Sequence, residues 1–458
     1  MQSTKRLSFK DVNMLSGKIL PEMIKFAIPI IFAGVLQQLY NAADIIVVGN
    51  FGGKEALAAI GATTSIISLL VNVFINIFIG TNILVARSVG AGDDAALRKV
   101  VSTTYVMSLV LGVGIMIAGE LLAVPLLEMT GCPANVIGGA AKYMKIYFLG
   151  IPASMFMNFA SSVIRTSGDS RSPFVYMSLS GIANVVCNIA FVLIFGDPVA
   201  GVAIATVVAM YLSAAMFFVH MIRLNGPTKL NPFSFRFNYG MFAKTIRYGI
   251  PSVISGATFS ITNIIIQPAV NAYGDIGISG SAASSSIEAF IFAITSSFMA
   301  ATVAFVGQNI GAGNRERVLK IIKVIYLFAI SVMLVFSAVM LSLGDVLLSL
   351  YIPGEAEAIA FAKTRYTMIM GAAVLSAMMN VNAGILQAYG YTIMQMMSNL
   401  VGVCVFRLAW MAFVYPIDMT PFNLWVCYPI SWLLTAVTVF VIVLVLTKKY
   451  KAGKEFRI

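Results

Sequence analysis

The second half of this 458-residue chain repeats its first half at an offset of 222 positions. Residues 24–29, which read Ile-Lys-Phe-Ala-Ile-Pro, return as residues 246–251, which read Ile-Arg-Tyr-Gly-Ile-Pro. The Gly-Ala-Gly-Asp segment at residues 90–93 returns as Gly-Ala-Gly-Asn at residues 311–314, one position out of step. An internal repeat of this length determines the architecture of a chain. We therefore predict two copies of one structural unit.

Hydrophobic residues make up 59% of the sequence and charged residues only 10%. So few charges cannot cover the surface of a soluble globule. Uncharged stretches such as residues 56–86, 172–196 and 248–274 each exceed the roughly 20 residues that cross a bilayer. Turn residues and polar gaps divide the chain into twelve such segments, six in each copy. The predicted fold is an all-α integral membrane protein with twelve transmembrane helices in two six-helix bundles.

The formal charge of +12 could suggest a nucleic-acid partner, but the basic residues are distributed in another way. If successive loops alternate between the two membrane faces, one face carries 24 Lys and Arg residues and the other carries five. Such a bias marks the cytoplasmic face. We expect a monomeric, multi-pass protein of the bacterial cytoplasmic membrane with both termini in the cytoplasm. Its expected partners are membrane lipid and small molecules, not nucleic acid.

Six spans in each copy make the two copies parallel. The predicted cytoplasmic segments are residues 1–23 at the N-terminus, the inter-lobe linker 223–245 and the basic tail 448–458. Between them lie an N-terminal lobe, residues 24–222, and a C-terminal lobe, residues 246–447. Parallel repeats enclose a central cavity between two bundles, and rocking of the bundles exposes that cavity to either side. A ligand site is therefore expected in the central cavity.

Asp44 lies deep in the first span, without a charged neighbour between Lys25 and Lys54. An ionised carboxylate at the middle of a membrane costs about 2.5 to 3.5 kcal/mol on insertion scales, so its presence indicates a function. Helical spacings of three and four residues place Gln37, Asn41 and Asp44 on one face, which should look into the protein. The alternative is a structural aspartate that only hydrogen-bonds a neighbouring helix.

Three further polar residues lie at membrane depth in the N-terminal lobe. Asn184 and Asn188 are four residues apart on one face of the fifth span, and Thr206 in the sixth span offers a hydroxyl group. Hard cations such as Na+ take oxygen ligands of these kinds, and a proton could neutralise Asp44 equally well. The pattern predicts a cation site. The alternative for the two asparagines is ordinary interhelical hydrogen bonding.

The C-terminal lobe carries one further pair of opposite charges inside apolar runs, Glu288 in the eighth span and Arg407 in the eleventh. Because buried charges need partners, we predict that these two side chains face each other. The alternative is that each side chain extends separately to the membrane surface.

Over nearly its whole length the chain resembles the multidrug and toxic compound extrusion (MATE) transporters. The matching positions are Pro29 to Gln37, Tyr40, Asn41, Asp44, residues 48–49, residues 90–93, Arg165 to Pro173, residues 184–188 and residues 201–206. The resemblance implies a cation site, for Na+ or H+, in the N-terminal lobe, formed by Asp44, Asn184, Asn188 and Thr206. It also implies that bending of the first helix at Pro29 couples ion occupancy to release of the drug.

Many members of this family have aspartate where this chain has Asn188, so the second acid is missing here. The resemblance therefore leaves Na+ and H+ open as the coupling ion. Some members also carry acids in the C-terminal lobe, whereas the equivalent faces of this chain carry uncharged side chains. We expect the substrate cavity to be lined by Gln37, Tyr40, Asn41, Asn263 and Gln267.

These features together favour a secondary active antiporter, not an enzyme, that exports amphipathic, cationic organic compounds in exchange for Na+ or H+. The sequence contains no Gly-rich phosphate loop ending in Lys-Ser or Lys-Thr, so an ion gradient and not ATP should drive transport. Apart from the coupling ion, no cofactor is expected. One alternative is a flippase for a lipid-linked or other amphiphilic metabolite, which would favour a basic cavity. A membrane enzyme or a channel is the other.

Overall fold

The computed structural model describes residues 12–233 and 236–452, and within these ranges the regular structure is entirely helical. In the first copy the helices are Ile19–Ile75, Phe78–Ala91, Asp94–Met129, Ala134–Leu149, Ile151–Thr166, Arg171–Phe195 and Pro198–Arg223. In the second copy they are Tyr239–Asn271, Gly274–Gly311, Arg315–Ser342, Gly344–Tyr351, Ala356–Gly371, Ala373–Ala388, Thr392–Asn399, Phe406–Ala409 and Pro421–Lys451. Two π-helical segments, Leu400–Val405 and Trp410–Val414, and a 3-10 turn, Tyr415–Ile417, complete the eleventh span.

Within the described ranges, nine helices are long and apolar enough to cross a membrane on their own. Two further crossings, the fourth and the tenth, are helix pairs with a bend between their members. The bent pairs are Ala134–Leu149 with Ile151–Thr166 and Ala356–Gly371 with Ala373–Ala388. The second crossing is built from shorter pieces, because Gly53 (φ 65°) interrupts Ile19–Ile75 and a further break precedes Phe78–Ala91. The predicted all-α fold with twelve spans is confirmed.

The bends in the fourth and tenth spans show that the repeat extends from the sequence to the backbone. One bend lies at Gly150 and the other at Ala372, 222 positions apart, and their angles are 45° and 46°. Soon after each bend, an asparagine Nδ2 donates to the backbone carbonyl oxygen four residues earlier, at 2.8 Å for Asn158 and 3.0 Å for Asn380. Equivalent side chains therefore make equivalent hydrogen bonds.

The two glycine-rich turns are tight connections between helices. Gly92 (φ 66°) and Gly313 (φ 69°) adopt the left-handed conformation that glycine tolerates best. The next residue begins the following helix, because the side chain of Asp93 accepts a hydrogen bond from the N–H of Ala96 at 2.9 Å. Asn314 caps its helix in the same way, although its bond is longer, at 3.4 Å. These turns position the second and third spans of each copy.

The described chain groups into two compact units. The N unit comprises Val12, Asn13 and Ile28–Val253, and the C unit comprises Met14–Ala27 together with the chain from Ile254 onwards. Side chains of the helices Gly274–Gly311 and Arg315–Ser342 hold the segment Met14–Ala27 in the C unit. Asn309 Nδ2 and Arg317 Nε both donate to the carbonyl oxygen of Met14, the first residue of that segment, at 3.0 and 3.1 Å. Each unit is described separately below.

The predicted domain boundaries, which place the lobes at residues 24–222 and 246–447, remain a prediction. The grouping by contacts departs from them because the first helix changes unit between Ala27 and Ile28, next to Pro29. The helix that contains Pro251 changes unit between Val253 and Ile254. A boundary inside a continuous helix leaves no mark in the composition, so sequence patterns alone could not place it.

Candidate functional sites

A cavity of about 240 Å³ lies inside the N unit, among residues of the first, second, fourth, fifth and sixth spans. We call it the N cavity. Its polar lining consists of Gln37, Tyr40, Asn41, Asp44, Tyr147, Ser154, Asn158, Ser180, Asn184, Thr206 and Ser213. The face of the first span that was predicted to look inward therefore lines this cavity. Three of the four residues predicted for the cation site line it as well.

Asp44 is tied to the fifth and sixth spans by a chain of hydrogen bonds. Asn188 Nδ2 donates to Asp44 Oδ1 and also, at 3.3 Å, to Asn184 Oδ1. Asn184 Nδ2 donates to Thr206 Oγ1 at 3.4 Å. That hydroxyl group in turn donates to the carbonyl oxygen of Val202 at 2.9 Å. The structure therefore brings the four residues predicted for the cation site into one network.

The charge of the N cavity comes from a single carboxylate. Among the side chains that the structure describes, Asp44 is the only charged residue in its lining, and no Lys, Arg or His forms an ion pair with it. Asn188 is fully buried, and its Oδ1 has no hydrogen-bond partner within the described part of the chain. Carboxylate and amide oxygens are ligands for hard cations such as Na+, and a carboxylate can instead accept a proton. The arrangement can therefore hold one positive charge.

Tyr40 occupies its place in the N cavity because the fifth span has a glycine opposite it. The hydroxyl group of Tyr40 donates to the carbonyl oxygen of Ser178 at 3.1 Å. A Cβ atom at Gly181 would lie 1.8 Å from Cε2 of the tyrosine ring, which is far inside van der Waals contact. Any side chain larger than glycine at position 181 would therefore displace the ring.

A second cavity, of about 430 Å³, lies inside the C unit, and we call it the C cavity. Its aromatic lining consists of Phe259, Phe292, Tyr428 and Trp432. Its charged lining consists of Glu288, Arg365 and Arg407. Two guanidinium groups and one carboxylate make the lining formally positive.

The ion partner of Glu288 is Arg365, so the predicted pairing of Glu288 with Arg407 is wrong. Arg365 Nε and Nη2 donate to the two carboxylate oxygens of Glu288, each at 2.8 Å. The hydroxyl group of Ser284 donates to one of the same oxygens at 2.8 Å. Both oxygens of the carboxylate are therefore engaged by neighbours other than Arg407.

Arg365 was missed because its neighbours in the sequence are polar. It follows Lys363 and Thr364, so the pattern places it in an outward loop, whereas it lies inside the helix Ala356–Gly371. Its guanidinium carbon is 4.6 Å from the ring centroid of Trp425, a distance typical of a cation–π contact. No spacing in the sequence reveals which helix lies opposite such a side chain.

Arg407 lies on a single α-helical turn between the two π-helical segments of the eleventh span. π-Helical turns within longer helices are common at functional sites. The guanidinium carbon lies 3.8 Å from the ring centroid of Tyr428, and Nε donates to Ser431 Oγ at 3.0 Å. Its Nη2 is buried and has no hydrogen-bond partner among the residues described. Arg407 is therefore held in place with one donor group unused.

Seven positions of the repeat line both cavities. The corresponding pairs, each 222 positions apart, are Gln37 and Phe259, Asn41 and Asn263, Ser154 and Ser376, Met157 and Met379, Asn158 and Asn380, Thr206 and Tyr428, and Met210 and Trp432. The charges are not repeated, because the position of Asp44 corresponds to Ile266. The serine and asparagine shared by the fourth and tenth spans were not predicted together, although polar residues repeated at the internal offset were a usable signal.

The residues predicted for one substrate cavity fall into both units. Gln37, Tyr40 and Asn41 line the N cavity, and Asn263 lines the C cavity. Gln267 is exposed, and its Nε2 donates to Asn271 Oδ1 at 2.8 Å. A single central cavity that contains all five residues therefore stays a prediction.

The chain matches the MatE family model over residues 29–194 and 251–412. The probable multidrug resistance protein YoeA of Bacillus subtilis is 27% identical over 310 residues, which cover 66% of this chain and 67% of that protein. Multidrug export protein MepA of Staphylococcus saprophyticus is 21% identical over 384 residues, which cover 83% of this chain and 84% of that protein. A solved structure of a MOP superfamily transporter from Pyrococcus furiosus shares the fold, with a TM-score of 0.90 at 20% identity, over 97% of this chain and all of that one.

The two segments matched by the family model fall one in each copy of the repeat, and together they cover well over half of the chain. The twelve-span fold and the duplicated cavities agree with that match. The chain therefore belongs to the MatE family, the multidrug and toxic compound extrusion transporters, and is a multi-pass membrane transporter.

Proposed function

We propose that this transporter exports organic molecules by antiport with an H+ or Na+ ion that binds at Asp44. The observation that carries the proposal is the position of this carboxylate, which lines a cavity in the apolar N unit without a basic partner among the described side chains. A carboxylate removed from water is favourable only when a positive charge or hydrogen bonds compensate it. A coupling ion and a cationic substrate would alternate in this role.

The proposed substrates are amphipathic organic cations of several structures. Two relatives are named as a multidrug resistance protein and a multidrug export protein, which supports this class. The N cavity also supports it, because Asp44 lies among apolar side chains and neutral polar groups such as Gln37 and Asn41. Neutral hydrogen-bonding groups tolerate ligands of different shapes better than a set of fixed charges would. Beyond the coupling ion, we propose no cofactor.

Asn188 is the side chain that would respond to the coupling ion. Its Nδ2 donates to Asp44, an arrangement that suits an ionised carboxylate. A protonated carboxyl group or a bound Na+ needs an oxygen neighbour, which Asn188 provides when its amide group rotates by half a turn. The unpartnered Oδ1 of Asn188 is the atom that this rotation brings to Asp44. Occupancy of Asp44 would thereby also rearrange the hydrogen bonds to Asn184 and Thr206.

Pro29 is the proposed hinge through which this change reaches the rest of the molecule. Proline has no N–H and leaves one helical hydrogen bond unmade, so a helix bends there more easily than elsewhere. The first helix passes from the C unit to the N unit between Ala27 and Ile28, one residue before Pro29. Asp44 lies fifteen residues further along the same helix. Rearrangement at Asp44 would therefore act on a helix that is already weakened at the unit boundary.

The proposed orientation has both termini in the cytoplasm. Because Arg365 is buried in an ion pair with Glu288, four Lys and Arg residues remain on the opposite face instead of five, against 24 on the cytoplasmic face. The bias that supports this orientation is therefore slightly stronger than the sequence alone suggested.

Transport by purified protein in liposomes of known orientation tests the proposal. Efflux of a fluorescent organic cation is measured under a Na+ gradient alone and under a pH gradient alone. We expect at least one gradient to drive efflux, and Asp44→Asn to reduce the driven rate by about tenfold or more. Asp345→Asn is the matched control, because it removes a surface carboxylate that pairs with Lys363 at 2.7 Å. If Asp44→Asn shows full gradient-driven efflux, the coupling ion does not bind at Asp44 and the proposal is wrong.

A further inference from the structure

We propose that the C cavity binds the anionic group, a carboxylate or a phosphate, of an amphipathic organic molecule, and that Arg407 is its principal ligand. This site lies wholly in the C unit and is separate from Asp44. The inference therefore does not depend on the proposed antiport, and each can fail without the other.

The charges in the C cavity do not balance. Its lining contains two arginines and one glutamate. Arg365 uses two of its nitrogens on the two oxygens of Glu288, and Ser284 donates to that carboxylate as well. This local pairing leaves the positive charge of Arg407 without a carboxylate of its own. A buried charge without an opposite charge is unfavourable, so an anion that enters the C cavity would be stabilised there.

The geometry of Arg407 leaves its N–H edge for such an anion. The side chain is only 2% exposed, and its planar face is covered by the ring of Tyr428, 3.8 Å away. Nε donates to Ser431, but Nη2 has no partner among the described residues. A guanidinium group binds carboxylate and phosphate through N–H groups at its edge while its face stacks on an aromatic ring. Arg407 is therefore preorganised for an anionic ligand.

The rest of the C cavity suits an apolar or aromatic body attached to the anion. Phe259, Phe292 and Trp432 line it. Asn263 accepts a hydrogen bond from Tyr428 at its Oδ1, at 3.1 Å, so its NH2 group is the part that a ligand oxygen could use. A volume of about 430 Å³ falls within the range of small-molecule sites, roughly 300 to 1,000 Å³. An aromatic carboxylate or an aryl phosphate combines the two features.

The eleventh span supplies a second, independent observation. Arg407 stands on a four-residue α-helical turn with a π-helical segment on each side. The fifth span, its counterpart in the N unit, is an uninterrupted α-helix over Arg171–Phe195. π-Helical turns are rare and frequently lie at functional sites. The local backbone therefore differs from its counterpart at the place where Arg407 enters the C cavity.

Tryptophan fluorescence provides a direct test, because all three tryptophans of the chain, Trp410, Trp425 and Trp432, lie in the C unit. The full-length protein in a neutral detergent is titrated with benzoate and with phenyl phosphate. Benzyltrimethylammonium and benzyl alcohol serve as cationic and neutral probes with the same ring. We expect saturable changes with the two anions only. Equal responses to the cationic or neutral ring would overturn the proposal.

Substitutions of Arg407 and of Glu288 are expected to have opposite effects on anion binding, which separates a binding role of Arg407 from a structural one. Arg407→Gln should weaken benzoate binding by about tenfold or more, because a charge-assisted hydrogen bond is lost. Arg407→Lys, which keeps the charge but not the edge of N–H groups, should fall between that variant and the wild type. Glu288→Gln makes the cavity more positive and should tighten binding. Lys363→Gln, on an exposed lysine of the same unit, is the control for general electrostatic effects.

Size-exclusion profiles establish which variants are folded. A folded Arg407→Gln protein that binds benzoate as tightly as the wild type would overturn the proposal. If that variant does not fold, Arg407→Lys and Glu288→Gln decide, and weaker or unchanged binding by Glu288→Gln counts against the site. Repeating the titration on Asp44→Asn keeps the anion site and the antiport distinguishable. Nanodiscs with and without phosphatidylglycerol show whether a lipid phosphate or a soluble anion is the ligand, since a lipid ligand would compete with benzoate.

Discussion

The N cavity and the C cavity share seven lining positions of the repeat but differ in charge. The N cavity contains one carboxylate and no basic residue in its lining, whereas the C cavity contains two guanidinium groups and one carboxylate. Two substitutions between the copies account for part of this difference: Asp44 corresponds to Ile266, and Arg407 corresponds to Val185. The comparison indicates that the repeat determines the backbone and the place of each cavity, while a few side chains determine which charge each cavity accepts.

The largest effect is expected at the ion pair of the C unit, which has no counterpart in the N unit. The position of Arg365 corresponds to Tyr143. Arg365→Tyr leaves Glu288 buried without its guanidinium partner and should lower the free energy of unfolding by about 3 to 5 kcal/mol. Thermal unfolding in detergent measures the loss.

Adding Glu288→Ile to Arg365→Tyr should recover most of that stability. In this part of the chain the offset of the repeat changes from 222 to 221, so Glu288 corresponds to residue 66 or 67 of the N unit, and both are isoleucine. The double substitution therefore gives the C unit the apolar arrangement of its counterpart. Replacement of a whole buried ion pair by apolar groups is often close to neutral. If the double variant is as unstable as the single one, the two units do not tolerate the same side chains and the comparison is too simple.

Asn188 should have the next largest effect, because it joins Asp44, the proposed coupling carboxylate, to the fifth span. Asn188→Leu removes the side chain that donates to Asp44 and should reduce gradient-driven efflux by about tenfold or more. The same substitution at Asn399 in the eleventh span, which donates to Ser255, is the matched control and should leave coupling intact. Efflux from liposomes measures both. Equal losses in the two variants would show that Asn188 acts through packing alone.

The two repeated asparagines should behave alike. Asn158→Ala and Asn380→Ala each remove one hydrogen bond to a backbone carbonyl oxygen just after a bend. Each should lower the free energy of unfolding by about 1 kcal/mol, and the two losses should agree within about 0.5 kcal/mol, the usual error of such comparisons. Thermal unfolding of the two variants tests this. A loss at only one of them would show that equivalent hydrogen bonds in the two units carry different weight.

The smallest effect is expected at the helix caps that begin the sixth and twelfth spans. Asp197 caps the sixth span, where its Oδ1 accepts from the N–H groups of Val199 and Ala200 at 3.0 and 3.1 Å. Thr420 caps the twelfth span by accepting from the N–H of Asn423 at 3.2 Å. Asp197→Ala and Thr420→Ala should each cost roughly 0.5 to 1 kcal/mol at neutral pH.

Only the Asp197 cap should depend on pH. Partial burial acts to raise the pKa of Asp197, but the hydrogen bond from Lys142 and the two backbone N–H groups outweigh it, so the pKa lies below its ordinary value. A lowered folded-state pKa means that the carboxylate stabilises the fold above the pKa of an unfolded aspartate, about 4. This contribution is lost as the pH falls through the folded-state pKa. The melting temperatures of Asp197→Ala and wild type should therefore converge under acid, whereas the deficit of Thr420→Ala should persist.

The twelve spans, the repeat and the inward-facing position of Asp44 could be read from the sequence because each leaves a local mark. A single acid in an apolar run is visible without knowledge of its neighbours, and so is a period of 222 residues. The helical spacing of Gln37, Asn41 and Asp44 also predicted their common face correctly, since they line one cavity. These features depend on positions within one helix or on comparison of the chain with itself.

The side chains of the C cavity could not be predicted in the same way. The sequence pattern offered only Arg407 as a partner for Glu288, because it placed Arg365 in an outward loop, and only the packing of the helices brings Arg365 to Glu288. The π-helical segments around Arg407 have no signature in composition, because the residues there are ordinary helix and strand formers. Contacts between helices and changes of helical type depend on the whole fold.

The assignment of residues to units has a consequence for how the molecule can be assembled. Val12 belongs to the N unit, where its N–H donates to the carbonyl oxygen of Gly168 at 3.0 Å. The segment Met14–Ala27 belongs to the C unit, and the chain then returns to the N unit until Val253. If the polypeptide were cut in the linker between the copies, the N-terminal piece would keep Met14–Ala27, which belongs to the C unit. The C-terminal piece would keep the residues between the cut and Val253, which belong to the N unit. Although the sequence looks like two consecutive modules, neither module is a closed folding unit, and the halves are expected to mature only in each other's presence.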